Sequence, residues 1–307
     1  MSLLPRVVVV HRRSEYDELL ARHGTPGAAA YFLRQRGRSL DDVTVRHEAL
    51  TEALAAVAAA VPADWRRGSV RREDLPRFLF GPEDIVVTVG QDGLVANVAK
   101  YLDGQPVVGV DPESGRNPGV LARHAAGAVG ELLRAVAAGS AETQQRTMVE
   151  AELDDGQTLY GLNEIYVGHA GHQSARYVVS VAGTAARTVG RTGATRRERQ
   201  SSSGIVIGTG TGATGWCASI AGERATPPAL PAPGAATLCW FVREAWPSPV
   251  TGTSLTGGVL AEGESLEVAC ESERLVAFAD GLEADHLALT WGQRLTVRVS
   301  SRRLNLV

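Results

Sequence analysis

A carboxylate lies between two glycines at the point where a buried strand is expected to turn into a helix. The apolar run 85–89 is followed by Gly90-Gln91-Asp92-Gly93, and an amphipathic segment begins near Leu94. Glycines allow close approach of the backbone, and the first turn of a helix presents free N–H groups and the positive end of its dipole. This geometry suits a phosphate, so a carboxylate in the same turn needs an explanation.

Two interpretations of Asp92 are open. It is either the N-cap of the helix, a role for which aspartate is favoured, or a base that accepts the proton of a hydroxyl as that hydroxyl attacks phosphorus. In an open parallel sheet, ligands bind outside the carboxyl ends of the strands, and Asp92 follows such a strand. The turn alone does not decide between the two roles.

A second stretch could also bind phosphate. Residues 209–215 are rich in threonine and glycine and follow the apolar run 204–208. Hydroxyl and backbone N–H groups in such a loop can bind phosphate or ribose oxygens without a lysine. Lys100 is the only lysine of the chain, and the sequence contains no GxxxxGK[ST], which excludes a P-loop.

The composition is that of an ordinary globular protein. The chain has 307 residues, is 44% hydrophobic and 21% charged, and carries a net charge of −3, so nothing indicates a nucleic-acid or membrane partner. No apolar run approaches the roughly 20 residues of a transmembrane helix. The three cysteines, Cys217, Cys239 and Cys270, are odd in number and far apart, which favours reduced thiols and a cytoplasmic location.

The elements that would position these residues change character along the chain. Up to about residue 144, strands alternate with helices, which predicts a parallel sheet with helices on its faces. The predicted strands are 6–10, 43–45, 85–89 and 106–110, and the predicted helices are 15–22, 28–36, 48–60 and 118–138. The arginine-rich stretch 66–80 is predicted to be a solvated connector.

From about residue 145 the pattern is almost entirely that of strands. A hairpin turn is predicted at Asp154-Asp155-Gly156, between strands 148–153 and 158–167. We therefore predict two domains: a Rossmann-like α/β domain, 1–144, with the Asp92 turn, and a mostly β domain, 145–307, with the Thr/Gly loop. Ligand sites are common in the crevice between two such domains.

Several stretches, in this order and spacing, resemble motifs of the NAD kinase family, within the superfamily that includes the diacylglycerol kinases. The Asp92 turn looks like the family's GGDG motif, and Val108-Gly109-Val110-Asp111 followed by Gly115-Arg116 is similar to its next segment. The remaining matches are Asn163-Glu164, the run 203–216, which resembles a D-G-apolar run followed by TPTGSTAY, and Asp280-Gly281.

This resemblance implies an NAD kinase-like two-domain architecture and a kinase activity. Asp92 would be the general base toward the 2′-hydroxyl of the adenosine ribose of NAD. ATP with Mg²⁺ would be the phosphoryl donor, and the family tendency predicts a homodimer or homotetramer. The nucleotide-contacting residues that it implies are Gly90, Gln91, Gly93, Asn163, Glu164, Thr209, Thr211, Gly212 and Thr214.

The chain departs from the family pattern at residues that bear on the acceptor. Gln91 replaces the second glycine of the turn, and Ser203 replaces an aspartate before the Thr/Gly loop. These changes keep two alternatives open: a kinase of the same fold that acts on another small alcohol, such as a sugar or nucleoside, and a nucleotide-binding sensor without turnover.

Other motifs support weaker hypotheses. Residues 210–215 fit GxGxxG, so an NAD-dependent oxidoreductase is a third alternative. His169 and His172 are ordinary loop histidines, ligand contacts or, least favourably, metal ligands, and no metal site is predicted. The arginine-rich segment 187–203 is either a solvated loop or a phosphate-binding flap, and Arg116 and Arg123 are further possible phosphate contacts.

Overall fold

A computed structural model of the chain describes residues 4–113, 119–182 and 195–307. The chain divides into two units, of which the first comprises Met1–Gln144 with Asn305–Val307 and the second Gln145–Leu304. Arg116 and residues 187–194 of the arginine-rich segment, both considered above as phosphate contacts, lie outside the described residues.

Strands alternate with helices in the first unit. Its strands are β1 (Arg6–His11), β2 (Arg66–Arg71), β3 (Asp84–Val89) and β4 (Pro106–Val110). Its helices are α1 (Glu15–His23), α2 (Pro26–Arg34), α3 (Leu40–Ala60), α4 (Asp92–Ala99) and α5 (Val129–Ala137), with 3-10 turns at Arg72–Arg77 and Ala126–Ala128. None of the helices in the described ranges combines the length and apolarity needed to cross a membrane.

These four strands form a parallel sheet in the order β2–β1–β3–β4. β3 is paired on both sides and all six of its residues are buried, which accounts for its nearly continuous apolar run. Helices α3 and α5 cover one face, where Val57 and Leu133 belong to the same core cluster as Val87 and Val108. The predicted α/β fold of the N-terminal part is confirmed.

Three local predictions in this unit are wrong. Residues 43–45 are not a strand, because the N-cap Ser39 starts α3 at Leu40 and Val43 is buried within it. Residues 66–71 form β2, an edge strand that pairs through its backbone, so its exposed arginines gave no strand signal. Residues 119–125 are not helical, since their backbone contacts the Asp92 turn instead.

The second unit consists mainly of strands. They are β5 (Gln144–Leu153), β6 (Thr158–Gly161), β7 (Glu164–Gly168), β8 (Ala175–Ala182), β9 (Arg196–Ser202), β10 (Ile205–Gly208), β11 (Thr237–Val242), β12 (Gly257–Ala261), β13 (Ser265–Cys270), β14 (Arg274–Ala279), β15 (His286–Thr290) and β16 (Arg294–Leu306). A short helix, α6 (Trp216–Gly222), follows a 3-10 turn at Gly212–Thr214.

Two sheets enclose the core of this unit. One is antiparallel, in the order β12–β11–β10–β7–β14–β15, and the other contains β16–β13–β8–β9, with β5 next to β16 and β6 next to β5. Ile165 and Ile207 of the first sheet pack in one cluster with Val179 and Val268 of the second. Because side chains alternate along a strand, their neighbours Glu164 and Gly208 face away from this core. The predicted β-rich C-terminal part is confirmed.

The chain differs from the prediction at four places in this unit. Residues 196–202 of the arginine-rich segment form β9, which pairs with β8, and not a solvated loop or flap. The expected strand 158–167 is interrupted at residues 162–163, and α6 was not predicted. β16 also continues beyond residue 299, and its last residues, Asn305 and Leu306, pair in parallel with Pro106 and Val107 of β4 in the first unit.

We expect the partly buried ion pair at the start of the first sheet, in which the Asp84 carboxylate is buried, to stabilise that unit. Arg6 Nε and Nη2 donate to the two carboxylate oxygens of Asp84 at 2.8 and 2.5 Å, and the Gly81 N–H donates to Asp84 Oδ2 at 2.7 Å. Asp84→Ala leaves Arg6 Nε and the Gly81 N–H without this acceptor, although Arg6 Nη2 still donates to Leu79 O at 3.2 Å. The free energy of unfolding should therefore fall by about 2–4 kcal/mol in urea denaturation.

The exposed pair between Arg38 and Glu15 is the matched control, because its two hydrogen bonds have similar geometry but lie in solvent. Glu15→Ala should cost about 1 kcal/mol or less. An equal loss in both variants would contradict the expected effect of burial.

Candidate active site

The turn after β3 presents Asp92 without using it as a helix cap. Gln91 is the N-cap of α4, its backbone is extended (φ −81°, ψ 167°), and Asp92 is the first helical residue. The Gly90 N–H donates to Val110 O at 2.9 Å, which joins the turn to the end of β4. The N-cap interpretation of Asp92 is therefore wrong, and its carboxylate is available for another contact.

The Asp92 carboxylate accepts hydrogen bonds from three consecutive backbone N–H groups. Val120 N–H donates to Oδ2 at 2.8 Å, and the N–H groups of Leu121 and Ala122 donate to Oδ1 at 3.0 and 2.8 Å. An ionised carboxylate has about four lone-pair positions. N–H groups of the described residues occupy three of them, which leaves one acceptor position, on Oδ2, within this part of the structure.

Two glycines allow this close approach. A Cβ atom at Gly119 would lie 2.2 Å from Asp92 Oδ1, and one at Gly109 would lie 2.2 Å from Leu121 O. Any side chain at either position would displace the segment that holds the carboxylate. The sequence motif contained Gly109, but neither Gly119 nor residues 120–122 were recognised as part of the site.

Asp92 lines a cavity of about 320 Å³ within the first unit. The other residues around it are Gln91, Gly93, Asp111, Pro112, Glu113, Gly119 and Ala122. Asp111 is held in place by two contacts, because its Oδ1 accepts from the Glu113 N–H at 2.9 Å and its N–H donates to His124 O at 3.0 Å. The cavity thus combines three carboxylates with the exposed side chain of Gln91, beside the carboxyl ends of β3 and β4.

A second carboxylate, that of Asp280, forms a similar clamp, that is, it accepts hydrogen bonds from consecutive backbone N–H groups around the Asn163-Glu164 pair of the second unit. Asp280 accepts from the N–H groups of Leu162 (2.8 Å), Asn163 (2.7 Å) and Glu164 (3.3 Å), and its own N–H donates to Glu164 O at 3.1 Å. Asp280 has a left-handed backbone with φ 52°, a conformation that aspartate tolerates better than most residues. This clamp explains why the strand predicted over 158–167 is interrupted.

Thr209 connects the Thr/Gly loop to the same pair. Its N–H donates to Asn163 O at 2.9 Å, and its hydroxyl donates to Leu162 O at 2.5 Å. The same hydroxyl accepts from the N–H groups of Thr211 (3.0 Å) and Gly212 (3.3 Å). The loop and the Asn-Glu pair therefore form one hydrogen-bonded cluster inside the second unit.

The predicted loop residues differ in what they offer to a ligand. A Cβ at Gly212 would lie 2.2 Å from Asn163 O, so this glycine is required for close contact. The Thr211 hydroxyl is buried and has no hydrogen-bond partner in the described structure. Thr214 is exposed and its hydroxyl donates to Thr211 O at 3.0 Å. Among the described threonines of this loop, Thr211 is the one whose buried hydroxyl has no hydrogen-bond partner.

The Glu164 carboxyl of the cluster has a strongly raised pKa. Burial, with a smaller contribution from the negative charge of Asp280, raises the pKa of Glu164 to about 7. Glu164 is opposite Gly208 in the pairing of β7 with β10, so a position without a side chain lies beside it. A carboxyl with this pKa can act as hydrogen-bond donor or acceptor near neutral pH.

The structure gives little support to the remaining hypotheses from the sequence. The GxGxxG stretch precedes α6, but β10 and β11 are antiparallel, so the βαβ unit of a dinucleotide-binding Rossmann motif is missing. His169 Nδ1 accepts from the Gly171 N–H at 3.0 Å, and no group of three or more metal-ligating side chains occurs in the described residues. Arg123 is exposed and is not on a helix.

Comparison with known proteins agrees with this architecture of a parallel α/β unit followed by a β unit. The crystal structure of an NAD kinase from Archaeoglobus fulgidus in complex with ATP has the same fold, with a TM-score of 0.53 and 18% identity over 98% of this chain and 92% of that chain. An NAD kinase of Caldicellulosiruptor saccharolyticus is 25% identical over 246 residues, which are 80% of this chain and 82% of the relative. No protein-family model matches the chain. The chain is thus a divergent relative of the NAD kinases.

We expect Glu164 to make stability depend on pH. Its folded-state pKa of about 7 exceeds the ordinary value of 4.5, so the folded protein binds more protons than the unfolded chain between these pH values. Stability should therefore fall as the pH rises from 4.5 to 7, and by roughly 3 kcal/mol if the whole shift is realised. Chemical denaturation of wild type and Glu164→Gln between pH 5 and pH 8 measures this.

Glu164→Gln should lose this dependence and gain stability relative to wild type as the pH rises. The control is Glu283→Gln, because Glu283 is exposed in the turn between β14 and β15. This variant should follow the wild-type profile. Parallel pH profiles for wild type and Glu164→Gln would show that the Glu164 carboxyl is not perturbed.

Proposed function

We propose that the protein is an NAD kinase-like phosphotransferase that moves a phosphoryl group from ATP to a hydroxyl, with the adenosine ribose 2′-hydroxyl of NAD as the first candidate acceptor. The observation that carries this proposal is the Asp92 carboxylate, fixed by three N–H groups and lining a cavity at the carboxyl end of β3. The similarity to two NAD kinases supports the same reaction class.

In this proposal Asp92 orients the attacking hydroxyl and accepts its proton. A free hydroxyl does not ionise near neutral pH, so the proton leaves as the bond to phosphorus forms. The three backbone N–H groups keep the carboxylate in one orientation, and its remaining lone pair accepts the hydroxyl proton. The gain from such a base is about 10²–10⁴-fold.

In the second unit, we assign nucleotide binding to Asn163, Glu164 and the Thr/Gly loop. The unused hydroxyl of Thr211 can donate to a ribose or phosphate oxygen, and the Glu164 carboxyl can bind a ribose hydroxyl. Thr209 and Gly212 act indirectly, because they fix the loop against the Asn-Glu pair. Gly90, Gln91, Gly93 and Thr214 remain predicted nucleotide contacts.

Mg²⁺ fits the Asp92 cavity although the described residues contain no cage of three ligands. In kinases this ion is usually held by one or two carboxylates, by substrate phosphates and by water. Asp111 and Glu113 line the cavity and supply suitable oxygen ligands. Such an ion would neutralise charge on the phosphoryl group during transfer.

One observation favours a different alcohol as the acceptor. Gln91, which replaces a family glycine, has an exposed side chain that lines the Asp92 cavity, and its Oε1 accepts from Arg12 Nη2 at 3.3 Å. A side chain in this position narrows the space beside Asp92. A sugar or nucleoside is therefore the second candidate for the acceptor.

The direct test is transfer of label from γ-labelled ATP, with Mg²⁺, to a panel of NAD, NADH, nucleosides and sugars. Wild type should label NAD, and Asp92→Asn should lower kcat by about 10²–10⁴-fold, because the base is lost. The amide also offers one acceptor oxygen instead of two, so we expect about 1–3 kcal/mol less stability. Denaturation curves therefore accompany the assay.

Gly119→Ala tests the position of the Asp92 carboxylate without changing its charge. The added Cβ would displace the Asp92 carboxylate without removing it, so kcat should fall by about tenfold or more. Gly127→Ala is the matched control, because no atom lies within 4 Å of its added Cβ.

Activity in Asp92→Asn close to that of wild type would refute the base role. If a sugar or nucleoside is labelled in place of NAD, the second candidate holds, whereas nucleotide binding without any transfer indicates a sensor.

A further inference from the structure

Two buried thiols lie side by side beneath the Thr/Gly loop. Cys217 is in the first turn of α6, Cys239 is on β11, and neither side chain is exposed. The third thiol, Cys270, is buried elsewhere in the same unit, on β13. None of the roles proposed above uses these sulfur atoms.

Gly208 brings the two sulfur atoms together. It pairs with Cys239 across β10 and β11, and Cys239 Sγ is 3.6 Å from Gly208 O. On the same face, a Cβ at Gly208 would lie 2.3 Å from Cys217 Sγ, so the missing side chain is the space that this sulfur occupies. The next residue is Thr209, which connects the loop to Asn163.

We propose that Cys217 and Cys239 form a reversible disulfide that restrains the Thr/Gly loop and lowers nucleotide affinity. The oxidant is a peroxide. One thiol loses its proton, its thiolate attacks a peroxide oxygen, and the O–O bond breaks to give a sulfenic acid and hydroxide, which takes up that proton to become water. The second sulfur then attacks the first, so that the S–S bond forms, the S–O bond breaks and water leaves. Two thiols supply the two electrons that reduce one hydrogen peroxide to two waters.

The thiol pair favours Cys239 as the first nucleophile. The hydrogen bond from the Cys217 S–H lowers the pKa of Cys239, and the same contact together with burial raises the pKa of Cys217. Burial limits access, but α6 is a helix of seven residues preceded by Gly215, whose backbone (φ −121°, ψ −113°) is outside the usual regions. Opening of this short element is the expected entry path for a small peroxide.

The disulfide would change the loop because it links Cys217, which follows the loop, to Cys239, the strand partner of Gly208, which precedes it. An S–S bond is about 2.05 Å long, shorter than any contact between separate thiols. Its formation draws the start of α6 towards β11, and residues 209–215 lie between β10 and that helix turn. A constrained loop can no longer adjust to a ligand at Thr211.

Peptide mapping tests the bond itself. Cleavage after arginine puts each cysteine on its own peptide, 200–224, 225–243 and 244–274. The full chain is treated with hydrogen peroxide, blocked with an alkylating agent and digested without reductant. Peptides 200–224 and 225–243 should be linked, with the loss of two hydrogen atoms, and dithiothreitol should separate them. Sulfinic or sulfonic acids in place of the link, or unmodified thiols, would overturn the proposal.

Loop restraint and affinity are measured on the same samples. Backbone amides of residues 209–217 should exchange at least fivefold more slowly in the oxidised protein, and the Kd for ATP or NAD should rise at least fivefold and recover with dithiothreitol. Cys239→Ala should lose both responses, whereas Cys270→Ser should keep them. A linked protein with unchanged amide exchange would contradict the restraint.

The affinity part depends on the proposed function, and the two can fail separately. If neither the reduced nor the oxidised protein binds ATP or NAD, the nucleotide assignment is wrong, while the linked peptides and the slowed exchange still establish the disulfide. If the reduced protein binds nucleotide and the linked protein binds it equally well, the control of affinity is wrong and the proposed function stands.

Discussion

Hydrogen bonds from backbone N–H groups to a carboxylate are the interaction on which the candidate site of each unit depends. Asp92 holds residues 120–122 in the first unit, and Asp280 holds residues 162–164 in the second. In each case three consecutive N–H groups point at one charged group, so an irregular segment acquires a defined backbone path without helix or strand pairing. Such segments can bring backbone and side-chain groups to a ligand in a fixed position.

These hydrogen bonds also determine which further contacts the carboxylates of Asp92 and Asp280 can make. Asp92 lines a cavity, so its last lone pair can meet a hydroxyl there. Asp280 instead raises the pKa of the neighbouring Glu164 through its charge, after the larger effect of burial. One aspartate is therefore suited to contact substrate, whereas the other acts through the residues that it positions.

The sequence predicted the fold better than the paths of these segments. Apolar runs such as β3 and alternating strands such as β13 follow from local pattern, because burial on both faces or on one face determines the residue types along the strand. The exposed arginines of β2 gave no strand pattern, although this strand forms through backbone pairing. Residues 119–125 had the composition expected at the start of an alanine-rich helix. Asp92 and Asp280 lie far along the chain from the N–H groups they bind, so periodicity carries no information about these contacts.

The replacement of a family glycine by Gln91 shows which glycines the turn requires. Gln91 has an extended backbone (φ −81°, ψ 167°) that any residue can adopt, so the turn keeps its path with a side chain there. At Gly119 no Cβ fits, because it would lie 2.2 Å from Asp92 Oδ1. The departure at residue 91 therefore leaves the carboxylate where the turn puts it and changes only the space beside it. Under the proposed function, selection of the acceptor can therefore diverge at this position while the position of the Asp92 carboxylate is kept.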